Sequence, residues 1–516
     1  MSNTKTIVKN TGWYGLENII SALLTLFTSI AIARTLGPSK MGYIIYVAWI
    51  SGVVSALGSL GIPATTQKYM SEFIGMGDRG TARYIYFQTL WLQAALASVA
   101  TIGIIIWVLG DAGSGYKLAS VLIVLSIWPA MVNSVAAQAN VATEELSYNL
   151  PASVISVVVF FIAIMAVVIF HWGVIGVGAA VFLTRFVDCA VRIVPATRRI
   201  RNWPVAHAHP ENLKKRMVSF AWQSVTTLIL AIVVWDRSEF FLLKHLSTDI
   251  RQVAYYSVAF SMAERLLITS EIFGSATGAT IFAQYGRDKS RLPAIAASTF
   301  RYLALSSIPV HFISVSLAFP ALMLLYGNQY KGAALVVTLA PLLCLPKAFI
   351  GPVQNLLQSN ERQKYVIWAT VLAGIMDISV AWLLIPAHGA VGACLGSGAA
   401  QITAVGLMWA TGIYLYKVRL PWVLITKITV ISAIAAVLAH FVGVPFSPLV
   451  GVIVGGLTAL ITLLVLFYLL RVLEPQDHAR LNVLSSMLPQ RFARPVDRII
   501  ALLVRSDLSA ATTSNV

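Results

Sequence analysis

Gly113-x-x-Tyr116-Lys117-x-Ala119 recurs as Gly327-x-x-Tyr330-Lys331-x-Ala333, about 214 residues later, and each copy opens an apolar run. Gly173-x-x-Gly176 recurs as Gly389-x-x-Gly392, beside His171 and His388 respectively. In the first apolar hairpin Arg34-Thr-Leu36 matches Lys244-His-Leu246, with Tyr43 against Tyr255. Three matches in the same order and at a near-constant offset mark two like halves. In a membrane protein, two like halves point to a transporter that rocks one half against the other.

The composition is that of a polytopic membrane protein: 58% hydrophobic, 11% charged, mean hydropathy +0.80 over 516 residues. Only three cysteines occur, Cys189, Cys344 and Cys394, all in apolar runs and without metal-ligand spacing. Neither a disulfide framework nor a metal site is indicated. The first apolar stretch is too long for a signal-peptide core and has no small-residue cleavage site, so it is expected to stay in the mature protein.

Apolar windows of about 20 residues predict about fourteen transmembrane helices. They include 12–35, 41–63, 216–235, 252–280, 332–358, 365–386 and 389–416. With the N-terminus inside, about 27 of the 37 Lys and Arg fall on the cytoplasmic side, about 7 outside and about 3 within spans. That asymmetry predicts a multi-pass protein with both termini cytoplasmic, and it accounts for the formal charge of +17. The basic residues are scattered through short loops without a nucleic-acid-binding module, so anionic lipid headgroups are the expected counter-charge.

An even number of helices separates the repeated motifs, so the halves are expected to be parallel repeats. The predicted fold is an all-α membrane protein of two six-helix bundles, 1–195 and 216–416, joined by a basic cytoplasmic linker, 196–215. Two additional helices are expected over 417–472, then a cytoplasmic amphipathic tail over 473–516, with interfacial helices between Ala479 and Val504.

These motifs resemble the polysaccharide transporter branch of the multidrug/oligosaccharidyl-lipid/polysaccharide flippase superfamily. The likeness is carried by Ala33-Arg34-Thr35-Leu36-Gly37-Pro38 with Gly42-Tyr43, by Leu356-Leu357-Gln358 with Arg362-Gln363-Lys364, and by Asp377 with Leu384-Ile385-Pro386-x-x-Gly389-x-x-Gly392-Ala393. It runs through nearly all of residues 1–416. Asp377 stands where many members have Asn, and Ser247 stands where the second hairpin would carry Gly-Pro. The resemblance implies a flippase that moves an undecaprenyl-diphosphate-linked oligosaccharide across a bacterial inner membrane by alternating access, for capsule, O-antigen or exopolysaccharide export. It implies membrane lipids and polysaccharide polymerase or export machinery as partners. No cofactor is expected, with H+ or Na+ as candidate coupling ions, and no Gly-x-x-x-x-Gly-Lys-Ser/Thr loop for ATP occurs.

A diphosphate needs a hydrated, cationic cavity, and charges inside spans are costly enough to mark functional positions. Arg265 and Lys347 lie near the middle of predicted spans, Lys347 among Pro341, Pro346 and Pro352, which together imply a broken helix. Arg185 has Asp188 and then Arg192 on the same helix face, so the row can neutralise itself. Arg34 and Lys244 take matching outer ends of the two first hairpins, either snorkelling or guarding a cavity mouth. Glu17 and Asp377 are the acids most isolated in sequence, hence candidates for ion coupling or for pairing with a cavity cation. His171, His388 and His440 fall at span ends. An ion-coupled multidrug antiporter of the same superfamily is the alternative, and it would want an acidic, aromatic cavity. The turn Gly75-Met-Gly-Asp78-Arg79-Gly80 only faintly suggests a major-facilitator signature and is not repeated. An integral-membrane glycan-assembly enzyme is disfavoured, because the longest outer loop, Asp236 to Arg251, leaves little room for catalytic groups.

Overall fold

The computed structural model describes residues 2–111, 115–145, 149–205, 210–235, 238–285, 287–474, 477, 497 and 504. Its described residues are mostly helical, with no strand among them. They form two compact units, 1–255 and 256–516. Eleven of the helices are long and apolar enough to cross a membrane, among them Leu23–Gly58, Arg79–Gly110, Gln363–His388 and Ala390–Tyr416. Large apolar side chains such as Trp91, Ile106, Trp382, Phe441 and Ile461 face outward, as lipid-facing surfaces require.

Unit 1 begins with α1 (Ser2–Gly58), which runs through both of the first two expected spans and bends between them at Gly37 (φ 71°, ψ 170°), followed by Pro38. Glycine tolerates the left-handed φ, and Pro38 contributes no N–H to the ladder, so the hairpin expected at this point is a kinked helix. The second leg stops at Gly58, short of the expected residue 63, because Leu60 and Gly61 both take positive φ. A separate amphipathic helix follows, α2 (Ile62–Gly75). It buries Tyr69, Met70 and Phe73 against Ala82, Ile85 and Tyr86 of α3 (Arg79–Asp111) and against Val135 and Ala139 of α5 (Ile127–Ala142). Between α3 and α5 lies the short α4 (Lys117–Leu125). The glycine-rich turn before α3 is capped by Asp78, whose carboxylate accepts the Thr81 N–H at 2.9 Å.

The bundle is completed by α6 (Asn149–Ile169) and α7 (Gly173–Arg201). They are joined at His171 and Gly173, which take φ 55° and 57°. A Cβ on Gly176 would come within 2.6 Å of Trp172, so the repeated glycine is what lets the two helices double back. Next come α8 (Leu213–Trp235) and α9 (Glu239–Leu246), which pack against α1, α8 also against α2.

Across the boundary of the units runs α10 (Arg251–Glu264), then a 3-10 turn at Arg265–Leu267, then α11 (Ile268–Tyr285). Beyond it α12 (Leu292–Tyr326) is the post on which the last two helices, α17 (Trp422–Gly443) and α18 (Pro448–Leu469), are packed. The span expected over 332–358 is broken as its prolines require, into α13 (Ala334–Cys344), a 3-10 turn Leu345–Phe349 and α14 (Ile350–Ser359). Gly274 and Gly278 let α11 cross α14 closely, and Asn355 donates to the Gly274 carbonyl at 2.9 Å. The second copy of the glycine motif joins α15 (Gln363–His388) to α16 (Ala390–Tyr416) through Gly389 at φ 53°. Just past α18, Arg301 donates to Glu474 and Asp477 at 2.6 Å each, and Tyr302 to Asp477 at 2.8 Å, which ties the chain to α12. The interfacial helices expected over 479–504 fall almost wholly outside the described residues.

Candidate functional site

Unit 1 holds an open cavity of about 580 Å³, within the range of about 300–1,000 Å³ that small-molecule sites occupy. Its walls are set by a spacing of four. Ser51 and Ser55 line it from α1, with Ser59 just past its end; Ala130, Ser134 and Gln138 from α5; Val181 and Arg185 from α7; Ser224 and Leu228 from α8. Ser126, between α4 and α5, and Gln67 of α2 complete the polar lining.

Each of these serines donates its hydroxyl proton to a backbone carbonyl three or four residues earlier in the chain. The distances are 2.8 Å for Ser51, 2.7 Å for Ser55, 2.6 Å for Ser59 and Ser126, 2.5 Å for Ser134 and 3.0 Å for Ser224. Back-bonding of this kind satisfies the donor and leaves oxygen lone pairs toward the cavity. The wall therefore offers acceptors to a hydroxyl-rich ligand, and the amides of Gln67 and Gln138 offer both donors and acceptors.

Arg185 is the one charged residue among the described residues that line this cavity. The helix-face neutralisation expected for it does not occur. Asp188 accepts instead from Arg192 at 2.9 Å, from Ser156 at 3.0 Å and from Asn133 at 2.6 Å, while Arg192 also donates to Ser153 at 2.9 Å. Asp188 is thus engaged by those three neighbours, and its ion pair is with Arg192. Arg185 makes no ion pair among the described residues, and its guanidinium presents a cation with forked donors to whatever enters.

At the start of α2 the cavity wall comes against α8. Gly61 sits so close to α8 that a Cβ there would lie 2.3 Å from the Ala221 carbonyl oxygen. Beyond it, the Tyr69 and Phe220 rings meet edge to face at 6.1 Å, the Lys68 ammonium lies 3.9 Å from the Phe220 ring centre, and Arg216 bonds Glu72 at 2.8 Å. Arg216, Phe220, Ser224 and Leu228 thus form one face of α8, reading from clasp to cavity. The ion pair is 47% and 23% exposed at its two side chains, so it contributes about 0–1 kcal/mol; the rings and the close backbone approach carry the contact.

The other expected site residues are distributed as follows. Arg34 is exposed just before the α1 kink, and Lys244 of α9 is half-buried, 6.0 Å from the ring centre of buried Tyr46. Arg265 opens one of the 3-10 turns of unit 2 and Lys347 sits in another, and these two turns pack against each other. Two cations far apart in sequence thus share one pair of helix breaks, a place where functional hinges often lie. Asp377 is buried in α15, where Gly396 of α16 packs against its carbonyl. Glu17 belongs to α1, but its side chain lies outside the described residues. His171, His388 and His440 are exposed at helix ends. Among the described residues no cluster of His, Cys, Asp or Glu could hold a metal.

The neutral lining and the α2–α8 clasp were not anticipated from the sequence. The signal for the first was present as serines four apart within an apolar run. The clasp pairs residues 144 positions apart, Glu72 and Arg216, with no local pattern to reveal them.

Comparison with solved structures places this architecture. The lipid II flippase MurJ, in an inward closed conformation, matches with a TM-score of 0.69 at 13% identity, over 87% of this chain and 97% of that one. An inward-facing multidrug resistance MATE family transporter of the MOP superfamily matches at 0.63 and 15% identity, over 77% and 94%. A MOP superfamily transporter from Pyrococcus furiosus, described as having a binding pocket of reverse polarity, matches at 0.54 and 13%, over 78% and 93%. At these identities the likeness is one of fold. A comparison with curated proteins finds no match. The family model for polysaccharide biosynthesis proteins matches residues 31–335, more than half of the chain, and the protein is a member of that family, with the fold of the MOP-superfamily transporters.

Proposed function

We propose that the protein is a flippase that moves an undecaprenyl-diphosphate-linked oligosaccharide across a bacterial inner membrane. The observation that carries the reading is Arg185, a cation unpaired among the described residues, set in a cavity otherwise lined by hydroxyl and amide groups. A diphosphate meets the guanidinium, and sugar hydroxyls meet the serine oxygens. The lipid tail needs no polar site and stays in the bilayer. Family membership and a fold shared with a lipid II flippase support the same reading. An ion-coupled drug antiporter fits less well, because cationic cargo would face Arg185 with no carboxylate among the described lining residues.

In this scheme the parallel repeats alternate access, about fourteen helices cross the membrane, and both termini and the 196–215 linker are cytoplasmic. Arg34, Lys244, Arg265 and Lys347 add positive potential along the path, and Glu17 and Asp377 are the sites at which H+ or Na+ would couple. Anionic lipids and a polysaccharide polymerase or export complex are the partners.

The test is complementation in cells deleted for this protein, reading surface glycan and the lipid-linked precursor. Arg185→Gln removes one charge-assisted contact, about 1.5–3 kcal/mol, so export should fall about 10- to 100-fold at unchanged membrane level. Arg185→Lys should keep part of it, since charge survives without the fork. Normal export by Arg185→Gln would sink the anionic-cargo reading.

A further inference from the structure

We propose that a second recess of unit 1, about 540 Å³ in volume, is a phosphate-binding site distinct from the serine-lined cavity. Lys68 and Tyr69 of α2 line it opposite Lys215, Arg216 and Ser219 of α8, with Asn212 at the helix start. Three cations from two elements converge here, and no carboxylate lines the recess among the described residues. The nearest acid is Glu72, and it is committed to Arg216: both its oxygens accept from the single nitrogen Nη2, at 2.8 and 2.9 Å. Lys215 is exposed and has no ion pair among the described residues, and Lys68 is held over aromatic rings, 3.9 Å from Phe220 and 5.3 Å from Tyr69.

Such an arrangement is self-repelling when empty and suits a ligand with several anionic oxygens. A cationic ligand would find no counter-charge, and an apolar one would have to desolvate three charges. Phosphate has enough acceptor oxygens to meet two ammonium groups and the guanidinium edge at once, with Ser219 and Asn212 as neutral donors. An exposed Arg–carboxylate pair is a weak competitor for it. The ligand reaches the face of α8 whose next turns are Phe220, Ser224 and Leu228, so occupancy of the recess draws Arg216 from Glu72 on the helix that also walls the cavity. The phosphate comes either from a lipid headgroup or from a soluble phosphate compound. Neither source requires a particular cargo in the serine-lined cavity.

The full chain is reconstituted in phosphatidylcholine nanodiscs and titrated with inorganic pyrophosphate. In parallel, native mass spectrometry records phosphatidylglycerol retained from mixed nanodiscs. The double variant Lys68→Gln/Lys215→Gln alters two exposed side chains and should fold normally by gel filtration. It should bind the preferred probe more than about tenfold more weakly, as expected for two charge-assisted contacts. Glu72→Gln, which releases Arg216, should bind it more tightly, and Arg185→Gln should not change this recess, so failure here and failure of the cargo reading show on different residues. Loss of pyrophosphate binding in the double variant supports a soluble source. Loss of retained phosphatidylglycerol alone supports a headgroup. Equal binding of both probes by wild type and double variant would overturn the site.

Discussion

Four glycines in and around α1 and α2 make a graded test of how that end of the cavity is built. Gly77 takes φ +82° with nothing within 4 Å of where a Cβ would sit, whereas Gly61 takes φ +70° and would place its Cβ 2.3 Å from the Ala221 carbonyl oxygen. Gly42 would meet the Ile250 carbonyl oxygen at the same 2.3 Å but from a helical backbone, and Gly52 has open space. Left-handed strain costs an alanine about 1–2 kcal/mol, less about 0.4–1 kcal/mol returned through the unfolded chain. Gly77→Ala should therefore lose about 0.5–1 kcal/mol. Gly61→Ala adds an overlap with rigid backbone, and overpacking costs about 1–3 kcal/mol more, for a total of about 2–4 kcal/mol. Gly42→Ala bears the overlap but gains up to about 1 kcal/mol of helix propensity, and Gly52→Ala should be stabilising by about 0.5–1 kcal/mol. Equilibrium unfolding of the purified protein in mixed micelles, over a range of SDS fractions, reads the series. The expected order of loss is Gly61, Gly42, Gly77, Gly52. Equal losses at Gly61 and Gly77 would mean that α8 does not press on Gly61, and would refute the close approach of α8 to the cavity wall at that point.

Three further outcomes follow from the same geometry. Arg265→Ala and Lys347→Ala should each abolish glycan export in the complementation assay with the protein still in the membrane, and Arg265→Lys should be milder; full export by both alanine variants would leave these residues as packing charges. In a version lacking Cys189, Cys344 and Cys394, a single cysteine at Thr248 should react with an impermeant thiol reagent in intact cells and one at Asn202 should not; the reverse pattern would invert the proposed topology. Asp477→Ala should cost about 3 kcal/mol, because it removes an acid that is 1% exposed and bonded to both Arg301 and Tyr302; limited proteolysis should then cut after α18, and an unchanged cleavage pattern would show that the tie to α12 is dispensable.

What could be read from the chain beforehand was whatever backbone chemistry makes obligatory. A turn between two long apolar helices needs a residue that tolerates positive φ, so Gly173 and Gly389 announced their hairpins. Pro341, Pro346 and Pro352 could not all sit in one unbroken ladder, and the break fell among them. The break at Arg265–Leu267 carries no proline or glycine and had no local signature. The helix α2 was also hidden, because Thr65, Thr66, Gln67 and Lys68 interrupt the apolar run and read as loop until the burial of Tyr69, Met70 and Phe73 against α3 and α5 is known. For the cavity, charge was a misleading guide. The sequence row Arg185, Asp188, Arg192 suggested one self-neutralised stripe, while the partners that settle it, Asn133 and Ser156, come from other helices.

The repeat itself explains why the chemistry is harder to read than the fold. At the offset of the glycine motif, about 216 residues, Arg185 corresponds to Gln401, Asp188 to Ala404 and Arg192 to Met408. Gln401 is buried and donates to Ser397 of its own helix, so the second copy keeps the hairpin and lacks the ionic row. Conversely Asp377, buried in α15, corresponds to Phe161 of α6. Duplicated helices must keep the glycines, because a methyl at Gly176 or Gly392 would strike side chain or backbone within 2.6 Å. Nothing in the hairpin's packing demands a charge, and Asp377 is buried, where a charge is expensive wherever it has no task. An ionisable residue present in one half and absent from the other is therefore not explained by the shared fold. Asp188 and Arg192 meet that criterion too but pair with each other, which leaves Arg185, on the cavity wall of unit 1, and Asp377 in unit 2 as the positions where cargo and coupling ion should be sought first.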